Sequence, residues 1–367
     1  MKFHTRTIIG VLATTFLAVG VSSIAWAADL NTVPGTVITL TPSPTASSGI
    51  DWGVAVDAVD NVYVSRVADD TVEVYAPGNV GTSAPIRTIH TEPNPGLIHI
   101  FDGKLYVPTY QKVSIYALDG TLLRTISGNG TGLGVTYDVG TDVAGNIYVP
   151  NFYAAEINVY AANATGNASP MRTITGPQSG LNHPLGINVA PDGSFWIADH
   201  DGAHMARFAS GVNGNVSPIQ TIGGAATHLD NPVDSITSAS GELLISDFSY
   251  GFEPGAISYY PASANGDIAP TNRIIGNDTQ LTRAMGLAED SCGGLFVANY
   301  YARVAVFGTP CGGNGSVTTG GSQSGGAGDT NALATTGSSP SALWFVGGAS
   351  LVFGAVLAFF TLRRRTH

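Results

Sequence analysis

A 15-residue phrase returns along this chain, and two of its positions carry side chains able to do chemistry. Position 15 is Asn151, Asp199, Asp247 or Asn299 in four copies, and Arg66 or Thr109 in two others. Position 2 is Asp138 or Asp234 in two copies and glycine (Gly53, Gly186, Gly286) in three. His200, Asp201 and His204 lie just beyond Asp199. Carboxylates brought together repel unless a cation, a basic ligand group or a proton lies between them. A convergence of Asp199, Asp234 and Asp247 would therefore make a site for a divalent cation or a cationic ligand. A plainer reading stands beside it: an Asp or Asn that ends a strand accepts backbone N–H bonds from a neighbouring loop. Aromatic residues follow position 15 as Tyr110, Phe152, Tyr153, Phe248, Tyr300 and Tyr301, and the longer loop 248–252 adds Tyr250 and Phe252. They would either stack on a sugar or peptide or pack between repeats.

The elements that position these residues are strands. The phrase appears as Trp52–Arg66, Tyr137–Asn151, Leu185–Asp199, Val233–Asp247 and Met285–Asn299, with a shortened copy at Ile98–Thr109. Each copy alternates apolar and polar residues, breaks at an Asp/Asn/Gly turn and resumes as an apolar run, which is the pattern of a β-hairpin. A third strand follows each hairpin, beginning at Val72, Val113, Ile157, Met205, Ala256 and Val304. Five copies add a fourth strand, beginning at Ile86, Leu123, Met171, Ile219 and Asn272. The sixth lacks it, and a matching strand stands at the other end of the chain, at 36–40. Six units over 50–307, the last completed from the N-terminus, predict an all-β fold: a six-bladed β-propeller of four-stranded blades. Closing the ring in this way removes two open sheet edges. In such a ring, positions 2 and 15 should share one face, around the channel mouth.

The phrase G-x-x-x-D-x-x-G-N-I-Y-V and the period of 42 to 52 residues resemble NHL-type repeats. That resemblance implies the propeller fold over about 260 residues and implies no function, since propellers host binders and enzymes alike. Gluconolactonase-like propellers hold a divalent metal at the channel mouth, with two ligands at what corresponds to position 1. Here position 1 is Trp52, Tyr137, Leu185, Val233 and Met285, none of which ligates calcium. Streptogramin-lyase-like propellers use a histidine near the channel, and His183 and His200 are the candidates for that role. No G-x-S-x-G, H-E-x-x-H or P-loop pattern is present.

The two ends of the chain read as addresses. Residues 1–27 have a basic start (Lys2, Arg6), an apolar core (Ile8 to Val21) and an Ala25-Trp26-Ala27 cleavage site, so they read as a secretory signal peptide. At the other end, Leu333-Ala334-Thr335-Thr336-Gly337 precedes an apolar run from Leu343 to Leu362 and then Arg363-Arg364-Arg365. Twenty helical residues rise about 30 Å, enough to cross a bilayer, and the arginines favour the cytoplasmic side. The three parts resemble the LPXTG-type cell-wall sorting signal of Gram-positive surface proteins, in its LAXTG variant. The resemblance implies that a sortase attacks the Thr336 carbonyl and that an amine of a peptidoglycan precursor resolves the acyl-enzyme. Residues 28–311 would then be the propeller, 312–332 a Gly/Ser-rich linker, 333–337 the sorting motif, and 338–367 the transmembrane helix and basic tail. The linker spans only about 25 Å on average.

Five of the 15 basic residues sit in the terminal segments and none of the 26 acidic ones do, so 28–336 carries 10 basic residues against 26 acidic, a net charge of −16. Phosphate contacts need a basic stripe, and no nucleic-acid partner is expected. The two cysteines, Cys292 and Cys311, are expected to form a disulfide in an exported chain and to clasp the chain end to the last blade. Together these features predict a monomeric, exported protein at the cell wall or cell surface, acting as a binding or adhesion module for an extracellular ligand. The alternative is a propeller hydrolase or lyase. A divalent cation is the one cofactor the carboxylates leave open.

Overall fold

The computed structural model describes residues 51–79, 84–249, 254–300 and 303–312, together with the backbone of the strand Thr36–Ile38. The signal segment, the linker, Leu333 to Gly337 and the apolar run after it lie outside the described residues.

Three of the hairpin turns are capped by an aspartate. Asp57, Asp142 and Asp290 each end an innermost strand and accept the N–H groups two and four residues on, at 2.7 to 3.0 Å. The chain then reverses through a residue with positive φ: Gly145 at 80°, or Asp60 at 64° in the first hairpin. An aspartate tolerates that left-handed conformation better than a branched residue would. The shortened copy closes instead on Asp102-Gly103, with φ of 49° and 65° and Phe101 paired with Lys104. That is the two-residue turn whose twist suits a tight hairpin.

Six four-stranded antiparallel sheets result. Blade 1 runs Asp51–Val56, Val62–Arg66, Thr71–Tyr75 and Arg87–His90; blade 2 runs His99–Phe101, Lys104–Thr109, Lys112–Ala117 and Leu122–Ser127. Blade 3 comprises Gly140–Thr141, Ile147–Asn151, Glu156–Tyr160 and Arg172–Ile174. Blade 4 comprises Pro184–Val189, Phe195–Asp199, His204–Phe208 and Gln220–Gly223. Blade 5 contains Pro232–Thr237, Leu243–Asp247, Ala256–Tyr260 and Asn272–Ile274. Blade 6 has Ala284–Glu289, Leu295–Asn299 and Arg303–Phe307 from its own stretch of chain, and Thr36–Ile38 supplies the outer strand. That strand pairs Thr36 with Val306, Val37 with Ala305 and Ile38 with Val304. The propeller, its closing strand and the number of blades are as the repeats predict.

Apolar side chains fill the wedges between neighbouring blades. One such cluster joins Tyr148, Ile157 and Val159 of blade 3 to Ile187, Phe195 and Phe208 of blade 4. At the axis, contact is between backbones. A Cβ added at Gly186 would lie 2.1 Å from the Val233 carbonyl oxygen, and one at Gly286 would lie 2.9 Å from that of Trp52. Only glycine lets the innermost strands approach this closely.

A second set of links runs between blades away from the axis and is not part of the 15-residue phrase. Asn167, Asn215 and Asp267 each reach back to the preceding blade and accept a backbone N–H there, from Gly130, Gln178 and Ala226 respectively, at 2.6 to 2.8 Å. Beside each lies a short parallel bridge, Ile126 to Gly166, Ile174 to Gly214 and Ile222 to Gly266.

Cys292 and Cys311 are disulfide-bonded. The bond ties the chain just past the third strand of blade 6 to that blade's hairpin turn. Asp290 accepts the Cys311 N–H at 2.7 Å, and Ser291 donates from its N–H and its hydroxyl to Asp60 in the first hairpin turn, both at 2.9 Å. The clasp thus spans the seam where blade 6 meets blade 1. Replacing both cysteines by serine is expected to lower stability by about 3 kcal/mol, read as an earlier midpoint in denaturant unfolding; an unchanged midpoint would show that the closing strand holds the seam by itself.

Candidate functional site

Position 15 ends the second strand of its blade, and there the side chain holds the loop that enters the innermost strand. Asp199 accepts the N–H groups of Asn182 and His183 at 2.8 and 2.7 Å. Asp247 accepts those of Asp230, Asn231 and Ser249 at 2.7 to 3.2 Å, and its burial raises its pKa. Asn151 accepts from Gly134 and donates to the Gly132 carbonyl; Asn299 accepts from Thr282 and Arg283 and donates to that of Gln280. In these four blades the residue acts as a loop anchor. Blade 1 solves the problem differently. Arg66 is fully buried, 3.3 Å from Asp51, 3.3 Å from Asp69 and 3.5 Å from Glu73. Burial pushes the Asp51 carboxyl up to about 7 although Arg66 opposes it.

Position 2 lies inside the ring rather than at an open mouth. Asp138 accepts from Val139 and from Ile187 of the next blade, both at 2.7 Å. Asp234 repeats this two blades on, accepting from Ser235 at 2.7 Å and from Leu287 of blade 6 at 2.8 Å. Each carboxylate therefore bridges two innermost strands, where the glycine copies bring backbone against backbone. Burial raises both pKa values, that of Asp234 to about 7, and the Asp234 charge raises Asp138 further. The expected meeting of Asp199, Asp234 and Asp247 is thus corrected. The carboxylate that Asp234 couples with is Asp138, while Asp199 and Asp247 are committed to their own loops. Among the described residues, one group of His, Cys, Asp and Glu has ligand atoms within 4.8 Å of one another, namely Asp290, Cys292 and Cys311, and its cysteines are bonded to each other.

Position 1 fills the mouth. Trp52, Leu185, Val233 and Met285 form one buried cluster with Leu97, Phe152, Phe248 and Tyr300, and Tyr137 packs against it. Trp52 meets Tyr137 at 5.0 Å between ring centroids, Tyr137 meets Phe152 edge-on at 5.2 Å, and Phe248 meets Tyr300 edge-on at 5.7 Å. Arg283 lies over both Phe248 and Tyr300. Three of the aromatics that follow position 15 therefore pack within the ring; Tyr110 and Tyr153 are exposed, and Tyr250, Phe252 and Tyr301 lie outside the described residues. His200 is buried between Phe152 and Phe248, and its Nδ1 lies 3.2 Å from the Pro232 carbonyl oxygen. Burial lowers its pKa and favours the neutral ring. His183 stacks on Phe152 at 4.5 Å with its Nδ1 2.7 Å from an Asp201 oxygen, and His204 faces Asp199 at 3.7 Å.

Beside the plug a cleft opens across blades 1 to 3. Trp52, Tyr110 and Tyr137 give it three aromatic walls; Val67, Val135, Asn94 and Thr136 complete it, and the room inside is about 30 Å³, enough for about two water molecules. Among the described residues, no charged side chain lines it. Trp52 is 8% exposed, and its indole Nε1 is buried without an acceptor. Trp52, Tyr110 and Tyr137 belong to the repeated phrase or follow it directly. Val67 also follows it directly, whereas Asn94, Val135 and Thr136 stand in connecting loops, where no repeat marks them. The cleft became visible only when three loops met.

Neither protein-family models nor curated protein sequences match the chain. Solved structures match it in fold. A streptogramin B lyase superposes with a TM-score of 0.52 at 11% identity, covering 71% of this chain and 94% of that one. The virginiamycin B lyase of Staphylococcus aureus gives 0.51 at 12% identity, over 71% and 96%. The WD40 propeller domain of Doa1 gives 0.53 at 12% identity, over 72% and 80%. At such identities the likeness is of fold alone.

The buried pair Asp138 and Asp234 sets a pH dependence. Their folded pKa values lie above the ordinary 3.8, so between about pH 4 and 7 the folded state binds more protons than the unfolded one. Stability then falls as pH rises through that window, by about 1.4 kcal/mol per pH unit for each extra proton, and the Asp234 share levels off above about pH 7. Asp51 adds a slope of the same sign, and His200 one of the opposite sign below its usual value. The test is the difference between variant and parent: Asp234→Asn should flatten the decline in melting temperature from pH 5 to pH 8. A slope equal to the parent's would mean that Asp234 does not hold a proton.

Proposed function

We propose that this chain is an exported, wall-attached surface protein whose propeller is a binding module. One observation carries the binding assignment. The axis, where propeller enzymes gather metal ligands or a base, is plugged by Trp52, Leu185, Val233 and Met285, while the open cleft beside it is aromatic and uncharged. Such a surface has the chemistry to hold a ligand, and among its described lining residues there is no carboxylate, imidazole or amine. The attachment assignment is supported by the order of the segments: signal peptide, disulfide-clasped ring, Gly/Ser linker, Leu333 to Gly337, apolar run and triple arginine. In this reading a sortase transfers Thr336 to peptidoglycan, the transmembrane helix is a temporary anchor, and the mature product is an acidic monomer of NHL-like repeats held close to the glycan.

The lyase or hydrolase reading keeps one observation in its favour, the contact of Asp201 with His183 beside Phe152 and Tyr153. A carboxylate there can orient an imidazole as a general base. The stack on Phe152 and the edge contact with Tyr153 equally account for His183 as part of the aromatic packing.

Fractionation tests the attachment. Thr336→Ala should move the protein from the wall fraction to the membrane fraction, and unchanged covalent attachment to wall would refute the sorting assignment. Retention of the wild-type chain on immobilised glycans or wall fragments tests the binding assignment, and silence across broad glycan and peptide arrays would contradict it.

A further inference from the structure

Resting on the reading of the apolar run as a temporary membrane anchor, we infer that the propeller face opposite the mouth seats on the lipid bilayer before transfer to the wall. Strands alternate in direction along each blade, so the hairpin turn and the connection into the outer strand share this far face. At the hairpin turns, Val59 of blade 1 and Val143 of blade 3 are 67% and 70% exposed. At the entry to the outer strand, Ile86, Met171 and Ile219 occupy one equivalent position, each bonded through its N–H to a third-strand carbonyl, those of Val74, Val159 and Arg207. All three are more than half exposed. Blade 2 presents Leu122 and Leu123 there, both about half exposed, at a register shift in the pairing with the third strand. Among the described residues, the other large apolar side chains this exposed are Tyr110 and Tyr153, on the mouth face. The far-face positions are fixed by their neighbours. Arg87, Arg124, Arg172 and Gln220 donate to carbonyls of the following blade, those of Leu118, Ala162, Val212 and Ala264.

Single exposed apolar residues need no partner. Here the same position is apolar in four consecutive blades, so these side chains stand on an arc around the propeller. Points spread in that way make no pocket for a small ligand, and a flat partner meets them together. A bilayer is flat, and its interface takes apolar side chains to a depth of about 5 to 10 Å. The chain itself brings this face to the bilayer. The third strand of blade 6 runs from Arg303, paired with Asn299 at the mouth, to Phe307 on the far face, and Cys311 is bonded there to the hairpin turn. A Cβ added at Gly312, the last described residue, would lie 3.3 Å from the Pro77 backbone, in the connection that leads to Ile86. Residues 313–342 separate Gly312 from Leu343, a span of about 30 Å for a flexible chain. The tether therefore holds the apolar face toward the membrane, at an effective concentration of the order of millimolar, and weak contacts suffice. Asp60, Asp119 and Asp142 stand close in sequence to the apolar residues, and 28–336 carries a net charge of −16. Anionic lipid adds no attraction, so the contact rests on apolar burial and is expected on neutral lipid.

Hydroxyl-radical labelling of the full chain in phosphatidylcholine vesicles, read by mass spectrometry, tests this beside the variant Met171→Glu/Ile219→Glu. Both positions are exposed, so the variant should keep the parent's melting temperature. Val59, Ile86, Leu122 and Leu123 are the reporters, and Tyr110 and Tyr153 the references on the mouth face. The reporters should label at least about threefold more slowly in the parent than in the variant, which corresponds to about two thirds of the molecules seated, while the references label alike. Val143→Glu, in a hairpin turn of the same face, should also speed labelling of the reporters. Equal labelling in the parent and both variants would overturn the inference. Protection that rises with the protein-to-lipid ratio would assign the face to a second copy of the chain and overturn it as well. Flotation separates this from the reading beneath it. A chain that floats with the vesicles without protection keeps the anchor and loses the seated face; a chain that does not float loses both.

Discussion

The structure depends on how closely six innermost strands approach one another around an axis. Two chemistries make that approach possible. At Gly53, Gly186 and Gly286 the absence of a side chain lets one strand rest on the backbone of the next. At Asp138 and Asp234 a carboxylate spans the gap and satisfies a backbone N–H on the neighbouring blade. Both leave the ring narrow at position 2. Buried donors find partners there, and the cost appears as two carboxyl groups that share a dry interior and resist losing their protons.

A narrow axis has consequences outward. Trp52, Leu185, Val233 and Met285, one residue before position 2, are buried in a single apolar cluster with Phe152, Phe248 and Tyr300. What remains accessible lies to one side, where the loops entering blades 2 and 3 meet the end of the first hairpin. The long seam between blades 6 and 1 is secured separately, by the strand Thr36–Ile38, the disulfide and the hydrogen bonds from Ser291 to Asp60.

Much of this was legible in the residues. Period, alternation and turn chemistry predicted six blades, the displaced fourth strand and the cysteine pair, because each follows from local pattern and from the need to close a sheet edge. The loop-anchoring reading of Asn151, Asp199, Asp247 and Asn299 was also available, since an Asx side chain at a strand end has an N–H partner close by. Asp138 and Asp234 were legible as exceptions among glycines, but their partnership was not. It spans two blades and exists only once the ring is closed. The bridges from Asn167, Asn215 and Asp267 lie outside the hairpin phrase, and their one signal is a Gly followed by Asn or Asp that recurs before the fourth strand of those three blades. The cleft escaped for a third reason: half its wall comes from loops of unequal length, which carry no period.

The binding proposed for this propeller would lie off the axis, beside the cleft of blades 1 to 3. Hydrogen exchange of the full chain, with and without solubilised wall fragments, tests it most directly. Protection is expected to concentrate in 66–70, 92–97 and 133–138, the segments around the cleft. Protection centred instead on 183, 200–204 and 247–249, with these three segments unchanged, would contradict it and return the site to the histidine side of the ring.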